Sequence, residues 1–160
     1  MIHYKRFLFS VILAGCVFSI YSLDSLAAVP ELSKGQLVYV PAYSHIYSGD
    51  NESRMLMAVT LSIRNTDIKY PMKIVSVDYY DSHGKLLKRY VKKTVTLGPM
   101  GSTRYVVKYN DTSGGSGANF IVRWSADRGI NLPIVESIMI GAQSQEGISF
   151  TSRGQAIKEH

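Results

Sequence analysis

Residues 110–120, NDTSGGSGANF, gather an acid and three hydroxyls among glycines, the residue types that acyl transfer or phosphate binding would use. A serine nucleophile needs a base to take its proton and an acid to orient that base. Asp111 with Ser113 or Ser116 supplies part of such a set, and Arg153 is its further member. A histidine must complete it, and outside the leader the chain offers only His45, His83 and His160. The first lies near a proline-bent segment, the second in a turn and the third at the last position. A phosphate cradle fails on its own terms, because it needs a lysine beside its hydroxyl and a following helix, whereas Phe120 opens a strand. The residues therefore favour a structural loop in which glycines supply positive φ and Asp111, Thr112 and Ser113 cap backbone amides. The expected set of catalytic residues is none.

The stretch Asp111 to Gly115 resembles the Gly-Asp-Ser-Gly-Gly of serine proteases with a threonine inserted, which moves the serine one residue away from its acid. The nucleophile-elbow pattern fails as well, since Ala118 stands where Ser116 needs its second glycine. Binding candidates are Tyr39, Tyr43 and Tyr47, which on a regular strand would share one face as an aromatic strip, together with Thr112 and Asn119 on the loop rim. Pro41 is placed to break that strip. Met55 and Met57 are the soft ligands a copper site would use, but no histidine is grouped with them, and Met57 alternates with core residues. Asp50, Asn51 and Glu52 match no calcium-loop spacing and read as a solvated turn. No metal site and no cofactor are expected. Lys85, Lys88, Arg89, Lys92 and Lys93 form a basic run that reads as an edge strand guarded by charge.

The elements that must position these residues are short β segments. Met57, Val59, Leu61 and Ile63 alternate with polar or small neighbours, the period of a strand with one buried face. Asn65-Thr66-Asp67 ends that strand with side chains that bond their own backbone. Val75, Val77 and Tyr79 are expected on one face of the next strand, with Ser76 and Asp78 on the other. Asp81-Ser82-His83-Gly84 follows as a hairpin turn, with Gly84 at positive φ. Phe120, Val122 and Trp124 share a core face, and Arg123 points out. Roughly eight strands without helical periodicity predict an antiparallel, immunoglobulin-like β-sandwich.

The ends set the compartment. Lys5 and Arg6 precede an apolar run from Phe7 to Leu23, the layout of a secretory signal. Ser25-Leu26-Ala27 favours release after Ala27, while Leu13-Ala14-Gly15-Cys16 resembles a lipobox that would make Cys16 a lipidation site after a signal of residues 1–15. The organisation is thus signal 1–27, lead-in 28–35, sandwich domain 36–157 and tail 158–160. Cys16 is the only cysteine, which excludes an intrachain disulfide. Removing residues 1–27 lowers the net charge from +6 to +5. The expected location is exported and periplasmic, soluble or lipid-anchored, with membrane contact only through the signal or lipid and with no nucleic-acid partner.

The segments SIRNTD, YYDSHGKLLKRYV, LGPMGSTRYVV, DTSGGSGANFIVRW, PIVESIMIG and GISFTSRG together resemble bacterial domain-of-unknown-function family 3124, from about Tyr39 to Ile157. That resemblance implies an exported bacterial protein and no established activity, so it assigns no site residue. Asn65 and Asp67, Gly84, then Leu97 and Pro99 are also similar to immunoglobulin-like modules of envelope proteins. The resulting expectation is a non-catalytic binding or assembly module whose partner is another envelope protein or a surface glycan. The alternatives are a hydrolase using the glycine loop and periplasmic metal handling.

Overall fold

The computed structural model describes residues 31–143 and 146–159, and the signal segment, Cys16 and His160 lie outside them. Twelve strands occur among the described residues, and no helix. In order they are β1 Leu32–Pro41, β2 His45–Ser48, β3 Ser53–Leu56, β4 Ala58–Arg64, β5 Met72–Tyr80, β6 Leu86–Arg89, β7 Val95–Leu97, β8 Ser102–Val107, β9 Asn119–Asn131, β10 Ile134–Gln143, β11 Glu146–Arg153 and β12 Gln155–Ile157.

Two antiparallel sheets form the sandwich. One runs β12-β1-β9-β5-β6, with β7 pairing the same edge of β5 further along; the other runs β11-β10-β4-β8. A separate hairpin joins β2 and β3. Inward residues of both sheets meet in one core: Val38, Val40, Ile74, Val77, Tyr79, Phe120, Val122 and Trp124 from the first, and Val59, Leu61, Ile63, Val135 and Met139 from the second. Trp124 is 1% exposed, as its alternation with Phe120 and Val122 predicts.

The strand count exceeds the expected eight because four continuous stretches are each divided, one of them at Met57 into β3 and β4. The chain bends between β1 and β2 after Pro41, β6 and β7 are two pieces of one edge, and β11 passes from one sheet to the other at Gly154 to become β12. A Cβ at Gly154 would lie 2.7 Å from Val38 Cγ1 and 3.0 Å from the Val135 carbonyl, so a glycine lets the crossing chain sit against both sheets. β1 begins at Leu32, inside the expected lead-in. The basic run begins at Lys85 in the β5–β6 turn and continues on β6, at the sheet edge, and on the segment leading to β7; Lys88 Nζ lies 4.2 Å above the Tyr90 ring, and Arg89 lies 3.9 Å from Asp78. Gly84 closes the β5–β6 turn at φ 79°, as expected.

One face assignment is corrected. Val75 is 39% exposed, while Ile74 and Val77 are fully buried. Ile74 pairs with Trp124 and Ser76 pairs with Arg123, so Val75 is an extra residue in a β-bulge and the two-residue period slips there.

Candidate functional site

The glycine loop between β8 and β9 is held by its own polar groups. Ser113 Oγ donates to Asp111 Oδ1 at 2.5 Å, and Ser113 N donates to the same oxygen at 3.1 Å. This is the local side-chain-to-backbone closure that Asp and Ser favour in turns. Gly115 N donates to the Thr112 carbonyl at 3.2 Å.

The loop also joins two neighbouring connections. Ser82 N and Ser82 Oγ both donate to the Gly114 carbonyl, at 2.9 and 3.0 Å, and Gly117 N donates to Ser82 Oγ at 2.9 Å. Ser44 N and Ser44 Oγ both donate to the Gly115 carbonyl at 3.0 Å. Three connections thereby share one set of hydrogen bonds, part-buried where the Ser44 and Ser82 hydroxyls reach the Gly115 and Gly114 carbonyls. Tyr79, fully buried beneath the loop, is pushed above the ordinary phenol range by burial and, secondarily, by the nearby Asp111 carboxylate.

The structure brings Asp111 and Ser113 together and keeps the half-buried Ser116 in the same loop. Arg153 is placed elsewhere: it stands opposite Glu136 in the register of β10 and β11 and lines a hollow of about 260 Å³ with Leu132 and Pro133. His83 sits in the β5–β6 turn, where its backbone N–H donates to Asp81 Oδ1. His45 is buried on β2, and its Nε2 lies 3.3 Å from Tyr47 Oη. Among the described residues, neither imidazole bonds a loop hydroxyl.

The tyrosine strip does not form, because the bend after Pro41 sends its members apart. Tyr39 lies on the outer face of the first sheet opposite Ile121, Tyr43 packs edge-on against Phe150, and Tyr47 is exposed on β2. Thr112 and Asn119 remain at the loop end, Asn119 facing Pro41 and Tyr80 across neighbouring strands. Met57 is a core residue, Met55 packs half-buried against the core, and Asp50, Asn51 and Glu52 form the exposed turn between β2 and β3.

Burial, and secondarily the positive charge of Arg54, lower the His45 pKa below its ordinary value. The neutral ring is therefore favoured in the folded state, and below about pH 6.5 the unfolded chain takes up the proton first. Stability falls as pH drops through the interval between the two pKa values. Thermal unfolding followed from pH 7.5 to pH 5 should show this loss, and His45→Gln should flatten the slope in that range. An unchanged slope in the variant would exclude His45 as its source.

A second feature lies on the outer face of the first sheet. On one side of β9, β5 carries the Val75 bulge opposite Trp124 and Arg123. On the other, the register with β1 shifts between Ser33 and Gly35, where β9 passes from Ile130 to Ser125 against the single residue Lys34. Two irregularities thus flank the same short piece of a central strand, and bulges of this kind re-aim side chains. Between them is an open groove of about 580 Å³. Leu37, Val75 and Ile157 line it, with the Arg123 guanidinium among them.

Arg123 is held at both nitrogens by the segment that follows β12. Its Nη1 and Nη2 donate to Glu159 Oε2 and Oε1 at 3.1 and 2.7 Å, a two-pronged pair. The contact raises the Arg123 pKa and lowers that of Glu159. Beside the groove, Lys73 Nζ pairs with Asp127 Oδ1 at 2.6 Å.

The family described as Protein of unknown function (DUF3124) matches residues 35–157. The chain belongs to the DUF3124 family. The matched DUF3124 region takes in Arg123 and all three apolar walls of the groove and ends before Glu159. Among solved structures, the crystal structure of Thermotoga maritima 1070 is similar at 12% identity and a TM-score of 0.45, covering 75% of this chain and 92% of that one. No curated protein matches the chain. Within the DUF3124 region, sequence patterning places Arg123 on the outer face but misses the groove. A regular alternation buries Val75, and nothing in the residue types of Ile74-Val75-Ser76 marks the bulge that turns it out.

Proposed function

We propose that this DUF3124 protein is an exported, non-catalytic, immunoglobulin-like module of the bacterial cell envelope that binds another envelope protein or a surface glycan. The observation that carries the reading is the groove around Arg123. It joins apolar walls to two cationic residues, Lys158 and, on a central strand, Arg123 with its two-pronged hydrogen-bonding geometry, which is the composition of a recognition site. The Gly114 and Gly115 carbonyls of the glycine loop, by contrast, are engaged in holding connections together, and Ser113 Oγ is taken up by Asp111 within the loop.

The test is a photo-crosslinking residue introduced at Val75 in cells of the native bacterium. A stoichiometric adduct with one protein or glycan species is expected. Recovery of monomer alone, with the protein folded and expressed, would overturn the reading. A hydrolytic reading rests on the short contact between Ser113 and Asp111 and predicts a covalent adduct with a serine-reactive probe at Ser113 that Asp111→Ala abolishes. The binding reading predicts no such adduct.

A further inference from the structure

We infer that the Arg123 groove is a carboxylate-binding site for an extended acidic segment of a partner protein, and that Glu159 of this chain occupies it until such a segment displaces it. The inference rests on the binding-module reading and names the ligand chemistry of its site.

Three observations carry it. First, a guanidinium with two nitrogens presented side by side fits a carboxylate in the geometry that Glu159 adopts here, so the structure contains its own stand-in for the ligand group. Second, the pair is exposed enough to exchange: the Arg123 and Glu159 side chains retain 40% and 65% of their accessible surface, the range in which an ion pair contributes little and competes readily with another anion. Third, the surroundings suit a peptide. Leu37, Val75 and Ile157 offer apolar contact to side chains flanking a carboxylate. Among the described residues β12 is the terminal strand of its sheet, so its outer edge offers backbone hydrogen bonds to an added strand. A glycan site would instead present aromatic faces, and of the groove's side chains the one aromatic, Trp124, is buried in the core.

The probe is a fluorescein-labelled peptide copying residues 154–160, titrated by fluorescence anisotropy into the full mature protein. Wild-type protein should bind it weakly, because Glu159 competes from within the same molecule. Glu159→Gln should bind it roughly 2- to 5-fold more tightly, the range an exposed pair of this kind supports. In the Glu159→Gln background, Arg123→Gln should weaken binding roughly 2- to 5-fold, as should a peptide carrying glutamine in place of its glutamate. Binding should weaken between 0.05 and 0.5 M salt. The substituted side chains are both partly exposed, so thermal unfolding and Trp124 emission should stay unchanged and report intact folding.

Equal affinity of wild type and Glu159→Gln would overturn the displacement, and retained affinity in Arg123→Gln would overturn the site. Displacement of the peptide by inorganic phosphate at equal concentration would reduce the groove to a simple anion site. Displacement by a uronic-acid oligosaccharide at lower concentration than unlabelled peptide would assign it to a glycan. Either result overturns the inference. If no probe binds while the Val75 crosslink still recovers a partner, the carboxylate assignment falls and the binding-module reading stands; if neither occurs, both fall.

Discussion

Gly114→Ala should be among the most damaging single-methyl additions in this protein, costing about 3–5 kcal/mol. A Cβ at Gly114 would lie 1.9 Å from Tyr79 Oη, 2.7 Å from Tyr79 Cζ and 2.7 Å from Ala118 Cβ. None of these atoms can retreat cheaply. Tyr79 is 1% exposed and packs on Phe120 at 4.9 Å between ring centroids, and the loop backbone is tied to Ser82 and Ser44. Gly84 supplies the contrast. It has positive φ with no atom within 4 Å of its would-be Cβ, so alanine there meets only the left-handed backbone penalty of about 1–2 kcal/mol. The cause of the Gly114 effect can be isolated through Tyr79, whose buried Oη has no hydrogen-bond partner among the described residues. Tyr79→Phe removes a polar atom that gains nothing from its site, so alone it should be neutral or slightly stabilising. In the Gly114→Ala background it removes the closest clash and should restore part of the loss. Urea denaturation of the four proteins gives the cycle. Additive costs would show that the methyl acts elsewhere.

Much of the sandwich is legible in the sequence because burial imposes a two-residue period on strands that are regular. Met57 to Ile63 and Phe120 to Trp124 have that regularity, and their faces follow. Asn65, Asp67 and Gly84 are legible for a different reason, since side-chain chemistry and backbone freedom dictate turns locally. What escapes is set by pairing between distant strands. Whether β5 keeps its period at Val75 depends on how β9 meets it from some fifty residues away, and neither segment alone contains that information. The same holds for the tyrosine strip, which an ideal strand would make and the bend after Pro41 undoes. The glycine loop attracts attention by its composition, yet its acid caps a backbone amide and its carbonyls fasten neighbouring connections. The groove is unremarked by composition because its walls come from four strands, and its anion, Glu159, comes from a segment read as a tail. Local inconsistency between pattern and fold is concentrated at the Val75 bulge, where the apolar surface turns outward beside Arg123.

Asn65→Ala should cost about 3–5 kcal/mol, a large share of the 5–15 kcal/mol by which a domain of this kind is stable. Asn65 is 2% exposed and sits at the opposite end of the sandwich from the glycine loop. Its Nδ2 donates to the carbonyls of Tyr70 and Gly98, both at 2.9 Å, and its Oδ1 accepts from Asp67 N at 3.0 Å. Asp67 continues the same network: its Oδ1 accepts from the backbone of Lys69 and Tyr70 at 2.8 Å, and its Oδ2 accepts from Asn131 N at 3.2 Å. These bonds hold the Asp67 carboxyl below the ordinary range, with those from Lys69 and Tyr70 the largest cause. The turns after β4 and β7 and the end of β9 are therefore fastened through two side chains. Truncation at Asn65 leaves the buried Asp67 amide and two part-buried carbonyls without their partner, and the loss of these bonds dominates over the volume lost. Asn65→Asp separates the two causes. It preserves size and the acceptor for Asp67 N but turns a carboxylate oxygen toward the carbonyls of Tyr70 and Gly98, so it should destabilise at least as much as alanine at pH 7. Recovery of wild-type stability in Asn65→Asp would show that the site needs only volume. A loss below about 1 kcal/mol in Asn65→Ala would show that the two turns hold without it.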